Sequence, residues 1–193
     1  MNKQVVSAQQ PKINSNAFIE ALIFNQPSAE LGDAASVYGW LVGSWQVEAT
    51  DYLPDHSRKT IRGEWHFAWV LEGRAIQDLW IAPRRSERSS SLSHDQNRYG
   101  STIRFYDQAD KSWKINWFNP VNGNHTQLVG TKQGNDIVQN GKNAEGNLIR
   151  WVFTDIKPDT FRWYGEVSYD KGKTWQLEVE FLAQRQKTEI LSK

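Results

Sequence analysis

From Gly43 to Gln184 the apolar residues of this chain recur at every second position, and nine of its ten tryptophans fall on that beat. A period of two sends successive side chains to opposite faces of a strand, so this stretch is built to bury one face of many strands. Aromatic residues favour strands, and each buries about 150–250 Å² of surface. Rings projecting from many strands leave water only through one shared interior. Short turns between consecutive strands predict an antiparallel meander, and about ten strands would leave two long edges unless the sheet closed on itself. The predicted fold is all-β: a single antiparallel up-and-down β-barrel of about ten strands, with N-terminal helices capping one end. A barrel of that size has room for side chains or for one small ligand.

The strands are expected at 44–52, 60–71, 74–81, 101–106, 113–119, 125–132, 136–140, 147–156, 161–169 and 174–184. Asn122-Gly123, Pro158-Asp159 and Lys171-Gly172-Lys173 supply turns between them. In the last strand Trp175, Leu177, Val179 and Phe181 are expected inward, against Gln176, Glu178 and Glu180 outward. Upstream, Phe18, Ile19, Leu22 and Ile23 mark a short amphipathic helix, and Ser28 caps a second one running to Trp40. The chain therefore divides into a flexible arm (1–14), a helical cap (15–42), the barrel (43–185) and a tail (186–193). One long connection, Arg84 to Arg98, has five serines and no apolar period. It reads as a mobile solvated loop or as a lid whose arginines meet an acidic ligand.

Charge narrows the partners. Twenty-three Lys and Arg against twenty-two Asp and Glu leave a net +1, so no global field draws in nucleic acid or anionic lipid. No run reaches the roughly 18 apolar residues of a membrane span, and Met1 to Gln10 carries no signal-type apolar run. A cytoplasmic protein is the resulting expectation. With no cysteine, thiolate metal sites and cysteine nucleophiles are excluded. His56, His66, His94 and His125 show no metal-ligand spacing, and glycine-rich nucleotide signatures are missing, so no metal and no cofactor is expected.

Gly43-Ser44-Trp45, on the first long strand after the helical cap, resembles the G-x-W signature of the calycin superfamily, which includes lipocalins and fatty-acid-binding proteins. Gly63-Glu64-Trp65-His66-Phe67, Leu71-Glu72-Gly73-Arg74 and Ser168-Tyr169-Asp170 through Trp175 are similar to segments of a large bacterial group of calycin-like proteins, over about residues 32–185. The resemblance implies that Trp45 closes the barrel floor. The disulfides of secreted lipocalins and the proximal histidine of the haem-binding branch have no counterpart. Ser168-x-Asp170-x-Gly172-x-Thr174-Trp175 also fits the Asp-box of propellers, but it occurs once, and its physics is that of a tight hairpin.

Trp65, Trp80, Trp117 and Trp163 are the tryptophans expected to face a cavity, whereas Trp45, Trp151 and Trp175 are expected to pack. Asp78 shares a face with Ile76 and Trp80, Arg104 lies between Ile103 and Phe105, and Arg150 adjoins Trp151. Any of these charges that points inward must be paired, and an arginine among tryptophans suits a carboxylate or planar ligand. The alternative places the arginines outside, with their stems along aromatic surface. His125, at a strand start near Asn119, is expected at the barrel rim. The candidate ligand-binding set is thus Trp65, Asp78, Trp80, Arg104, Trp117, Asn119, His125, Arg150 and Trp163. Three functions are consistent with it: binding of a small, largely apolar or aromatic molecule with a polar or acidic handle; an isomerase, cyclase or hydratase with His125 as acid or base near Asp78 or Arg104; or a protein or glycan interaction module built on an exposed aromatic patch.

Overall fold

The computed structural model describes residues 15–187 except 90, 92, 94 and 95. The expected arm (1–14), His94 and the tail beyond residue 187 lie outside the described residues. Helix α1 (Ser15–Leu22) runs into the two-residue strand β1 (Ile23–Phe24). Its expected apolar face is not buried, since Phe18 is 61% and Ile19 48% exposed. Ser28 caps the next helix as expected, accepting from the Glu30 amide at 3.4 Å. That helix is broken, however. Gly32 adopts φ 49° and kinks it inside the 3-10 stretch (Ala29–Ala34), which runs on into the short α2 (Ala35–Gly39).

The alternating segment forms β2 (Gly43–Tyr52), β3 (Arg58–Val70), β4 (Ala75–Ala82), β5 (Arg98–Asp107), β6 (Ser112–Asn119), β7 (Asn124–Gln133), β8 (Asp136–Lys142), β9 (Leu148–Thr154), β10 (Thr160–Ser168) and β11 (Gln176–Arg185). Consecutive strands pair antiparallel, and β2 pairs with β11, so the ten strands close into a barrel with no free edge. Strand β1 adds to β3 where β2 no longer covers it, Ile23 facing Val70. The connections after β2, β4, β6, β8 and β10 gather at one end, the mouth, and the helices lie at the other.

The closed end is packed solid with rings. Tyr38 from α2 is fully buried, edge-on to Trp113 at 5.0 Å and to Phe153 at 6.2 Å. Trp45 is fully buried against Phe161 and donates its indole N–H to the Leu41 carbonyl at 2.7 Å. Two strand glycines let further rings lie flat on the wall: a side-chain carbon at Gly63 would meet the Trp80 ring at 2.4 Å, and one at Gly100 the Trp117 ring at 2.0 Å.

One strand departs from simple alternation. Gly165 pairs with Val179, but Glu166 pairs with Leu177, so Glu178 is an extra residue and the register of β11 slips there. Val179 and Phe181 keep the inward face, as expected. Leu177 now lies opposite the outward Glu166, and Trp175 stacks under the outward Arg150 guanidinium at 4.2 Å. The inward assignment of Trp175 and Leu177 is thereby corrected. Among the described residues, no helix is long and apolar enough to cross a membrane.

Candidate functional site

Above the ring-packed floor the barrel opens into a cavity of about 530 Å³ that reaches the mouth. Of the nine candidate residues, Trp65, Trp80, Arg104, Trp117, Asn119 and Trp163 line it. Asp78 lies one layer behind, paired with Arg104. The other two are on the opposite side of the wall. His125 pairs across the sheet with Phe118, stacking on its exposed ring at 4.8 Å with the planes 2° apart, which puts it outside. Arg150 also points outward, bonded to Glu166 and stacked on Trp175. An acid–base pair of His125 with Asp78 or Arg104 is therefore ruled out by the wall between them.

Arg104 is the most unusual lining residue. It is 1% exposed, its Nη1 donates to Asp78 at 2.5 Å, and Asp78 also accepts from the Thr102 amide at 3.2 Å. The rings of Tyr38, Phe67 and Phe153 surround the guanidinium at 5.4–5.9 Å. Its Nε has no hydrogen-bond partner, and neither has the Trp65 indole nitrogen. Both are donors only and both belong to residues that line the cavity, with each nitrogen itself shielded from solvent, so an acceptor would reach them only by entering between the rings.

Ten lining residues were outside the expected set, and five of them bear on the chemistry. Trp151, expected to pack, forms part of the wall with Phe181. Asp51 and Arg98 form an ion pair near the mouth, Nη1 to Oδ1 at 3.0 Å, and Glu178 sits at the rim. Strand alternation carries Asp51 inward with Trp45, Val47 and Ala49, a signal present in the sequence. The turn in of Glu178 comes from the bulge, whose one sequence trace is Gly165 inside a strand.

The described arginines at the start of the long connection after β4 are tied to neighbouring backbone and to the outward Glu64. Arg84 donates to the Gly63 carbonyl at 3.3 Å, and Arg88 to the carbonyls of Pro83 and Arg98 at 3.1 and 2.8 Å. Arg85 donates to Glu64 from its side chain at 2.7 Å and from its backbone at 3.0 Å. Glu64 also meets His66, which bonds Ser44. These Arg85 hydrogen bonds hold the Glu64 carboxyl at about 2, well below its ordinary 4.5. A lowered carboxyl pKa adds stability that is complete above 4.5 and is lost as the pH falls toward 2. Wild type is therefore expected to lose about 1–2 kcal/mol more than Glu64→Gln over that interval, a figure reduced for the solvent around Arg85. Urea unfolding of both proteins at pH 7 and pH 3 measures the difference.

Among the described residues, no group of three or more His, Asp or Glu side chains is placed to hold a metal. Every tryptophan among them is buried or half-buried, so none contributes to an exposed tryptophan patch.

No family model matches the chain, and no curated protein matches it in sequence. Solved structures do. Rv2717c from M. tuberculosis superposes with a TM-score of 0.57 at 13% identity, over 81% of this chain and 99% of that one. The S-type phycobiliprotein lyase CPES from Guillardia theta superposes with a TM-score of 0.53 at 10% identity, over 81% of this chain and 94% of that one. At such identities the likeness is one of architecture. Together with the closed ten-strand meander and the helix ahead of it, it makes the fold of this chain that of a calycin-like β-barrel.

Proposed function

We propose that the protein binds a small, flat, largely aromatic molecule in the mouth cavity, with a carboxylate or other acceptor group directed at Arg104 and the Trp65 indole. The observation that carries this reading is the pairing of aromatic walls with two unused donors at their deep end. Volume supports it, since about 530 Å³ falls within the range of small-molecule sites. Tryptophan faces supply stacking area for a planar ligand, while an acceptor on Arg104 Nε would relieve a buried donor that now lacks a partner. The residues proposed to make contact are Trp65, Trp80, Arg104, Trp117, Asn119 and Trp163, with Asp78 holding Arg104 in place. One neighbour of the same fold is a phycobiliprotein lyase by name; the shared architecture gives no ground for assigning that activity here.

The reading is tested with 2-naphthoic acid and its methyl ester as probes, by isothermal titration calorimetry with tryptophan emission as a second signal. The acid is expected to bind at least tenfold more tightly than the ester. Equal affinities would remove Arg104 from the site, and no heat or emission change with either probe at millimolar concentration would remove the site itself.

A further inference from the structure

The mouth of the same cavity holds a charge that none of the described residues answers. Four ionised side chains line the cavity: Asp51, Arg98, Arg104 and Glu178. Asp51 and Arg98 neutralise each other, and Arg104 is neutralised by Asp78. Glu178 is left. The rim leaves it open to solvent, yet desolvation by the cavity wall pushes its carboxyl above the ordinary range, and the nearby Glu145 pushes it further. No cation enters among the influences on it to pull it back.

Its position is built into the sheet. On plain alternation Glu178 would face away from the interior like Glu180, which bonds Arg162 on the outer wall. The extra residue between Val179 and Leu177 brings it to the rim instead. Bulges of this kind re-aim a side chain, and they recur at the rims of barrels and beside functional sites. Gly165 accommodates the local geometry: a side-chain carbon there would crowd Val179 at 3.0 Å and the Trp151 ring at 3.3 Å, both parts of the cavity wall.

The cavity therefore has two unlike ends. Its floor offers unpartnered donors on Arg104 and Trp65, both buried, and its rim offers an uncompensated acceptor. Between them, Arg98 at the rim and Arg104 at the floor are six residues apart on β5, about 20 Å along the strand. We propose that the ligand is amphoteric: an aromatic acid that carries, at the end opposite its carboxylate, an amine or other cationic nitrogen received by Glu178. This rests on the binding site proposed above and adds the second pole.

The test compares 2-naphthoic acid with a short series bearing an aminomethyl, aminoethyl or aminopropyl group at ring position 6, titrated calorimetrically at neutral pH into wild type and Glu178→Gln. At least one amine is expected to bind wild type tenfold or more tightly than 2-naphthoic acid. In Glu178→Gln that advantage should disappear, while 2-naphthoic acid itself stays within about twofold of its wild-type affinity. Thermal unfolding of the variant, expected to match wild type for a rim residue, checks that the fold is intact. An amine series no better than 2-naphthoic acid, or an advantage that survives in Glu178→Gln, overturns the second pole and leaves the first standing. If neither 2-naphthoic acid nor any amine binds, both fall together.

Discussion

Replacing Asp78 by alanine is expected to cost about 3–5 kcal/mol of folding stability, because it strands the buried Arg104 guanidinium without a counter-charge. Arg104 is 1% exposed and aromatic rings surround it, so water cannot take the place of the lost carboxylate at the closed side. Removing only Arg104 should be costly for the mirror reason, since Asp78 is also 1% exposed and would keep only the Thr102 amide. Replacing both, as Asp78→Leu with Arg104→Met, should recover most of the loss, because apolar side chains of similar size avoid the desolvation of two charges. A double-mutant cycle by guanidinium unfolding reads all three quantities. A single-variant loss below about 1 kcal/mol would mean that water in the cavity already solvates Arg104. If the apolar double variant proves as stable as wild type, stability is not the reason for an ion pair at this depth, which is the outcome the proposed acceptor-binding role of Arg104 requires.

The strand beat made the barrel legible, and the same beat explains what stayed hidden. All ten barrel strands were readable because each buries one face, which forces apolar residues onto alternate positions. On β5 that rule points the wrong way. Ile103 and Phe105 are the apolar residues, yet they face outward, Phe105 at 43% exposure, while Thr102 and Arg104 face in. Polarity predicts the buried face only where the interior is apolar, and Asp78 makes this part of the interior a place for a cation. His125 was recoverable. Leu128 is buried three residues on, so the beat of β7 sends His125 to the outside with Gln127 and Val129. Arg150, between inward Ile149 and Trp151, follows the same logic. Glu178 was not recoverable from the beat, because a bulge shifts the phase by one residue without changing composition. Helix α1 illustrates a different limit: its amphipathic pattern is real, but a pattern states what a segment is able to bury and not whether a surface lies opposite it.

Trp45→Ala is expected to cost about 3–5 kcal/mol, the range for deleting a large aromatic from a packed core. Its effect should be concentrated at the closed end, since several attachments of the helical cap meet there. The Trp45 indole donates to the Leu41 carbonyl. Above its ring, at 4.1 Å, lies the guanidinium of Arg185 from the end of β11, which donates in turn to the carbonyls of Val42 at 2.8 Å, Trp40 at 2.7 Å and Pro158 at 3.0 Å. One tryptophan and one arginine thus tie the first and last barrel strands to the chain leaving α2. Trp45→Phe separates the contributions: it keeps a ring beneath Arg185 but leaves the Leu41 carbonyl without its donor, for an expected loss of about 1–3 kcal/mol. Hydrogen exchange should show the amides of Leu41 and Val42, bonded to Tyr38 and Gly39, losing protection in Trp45→Ala before those of β5 and β6 do. Because the mouth cavity lies at the other end of the barrel, Trp45→Phe should bind 2-naphthoic acid as wild type does. A loss of binding in that variant would show that the packed floor and the cavity are one cooperative unit, in which the helical cap sets the position of Arg104 through Tyr38.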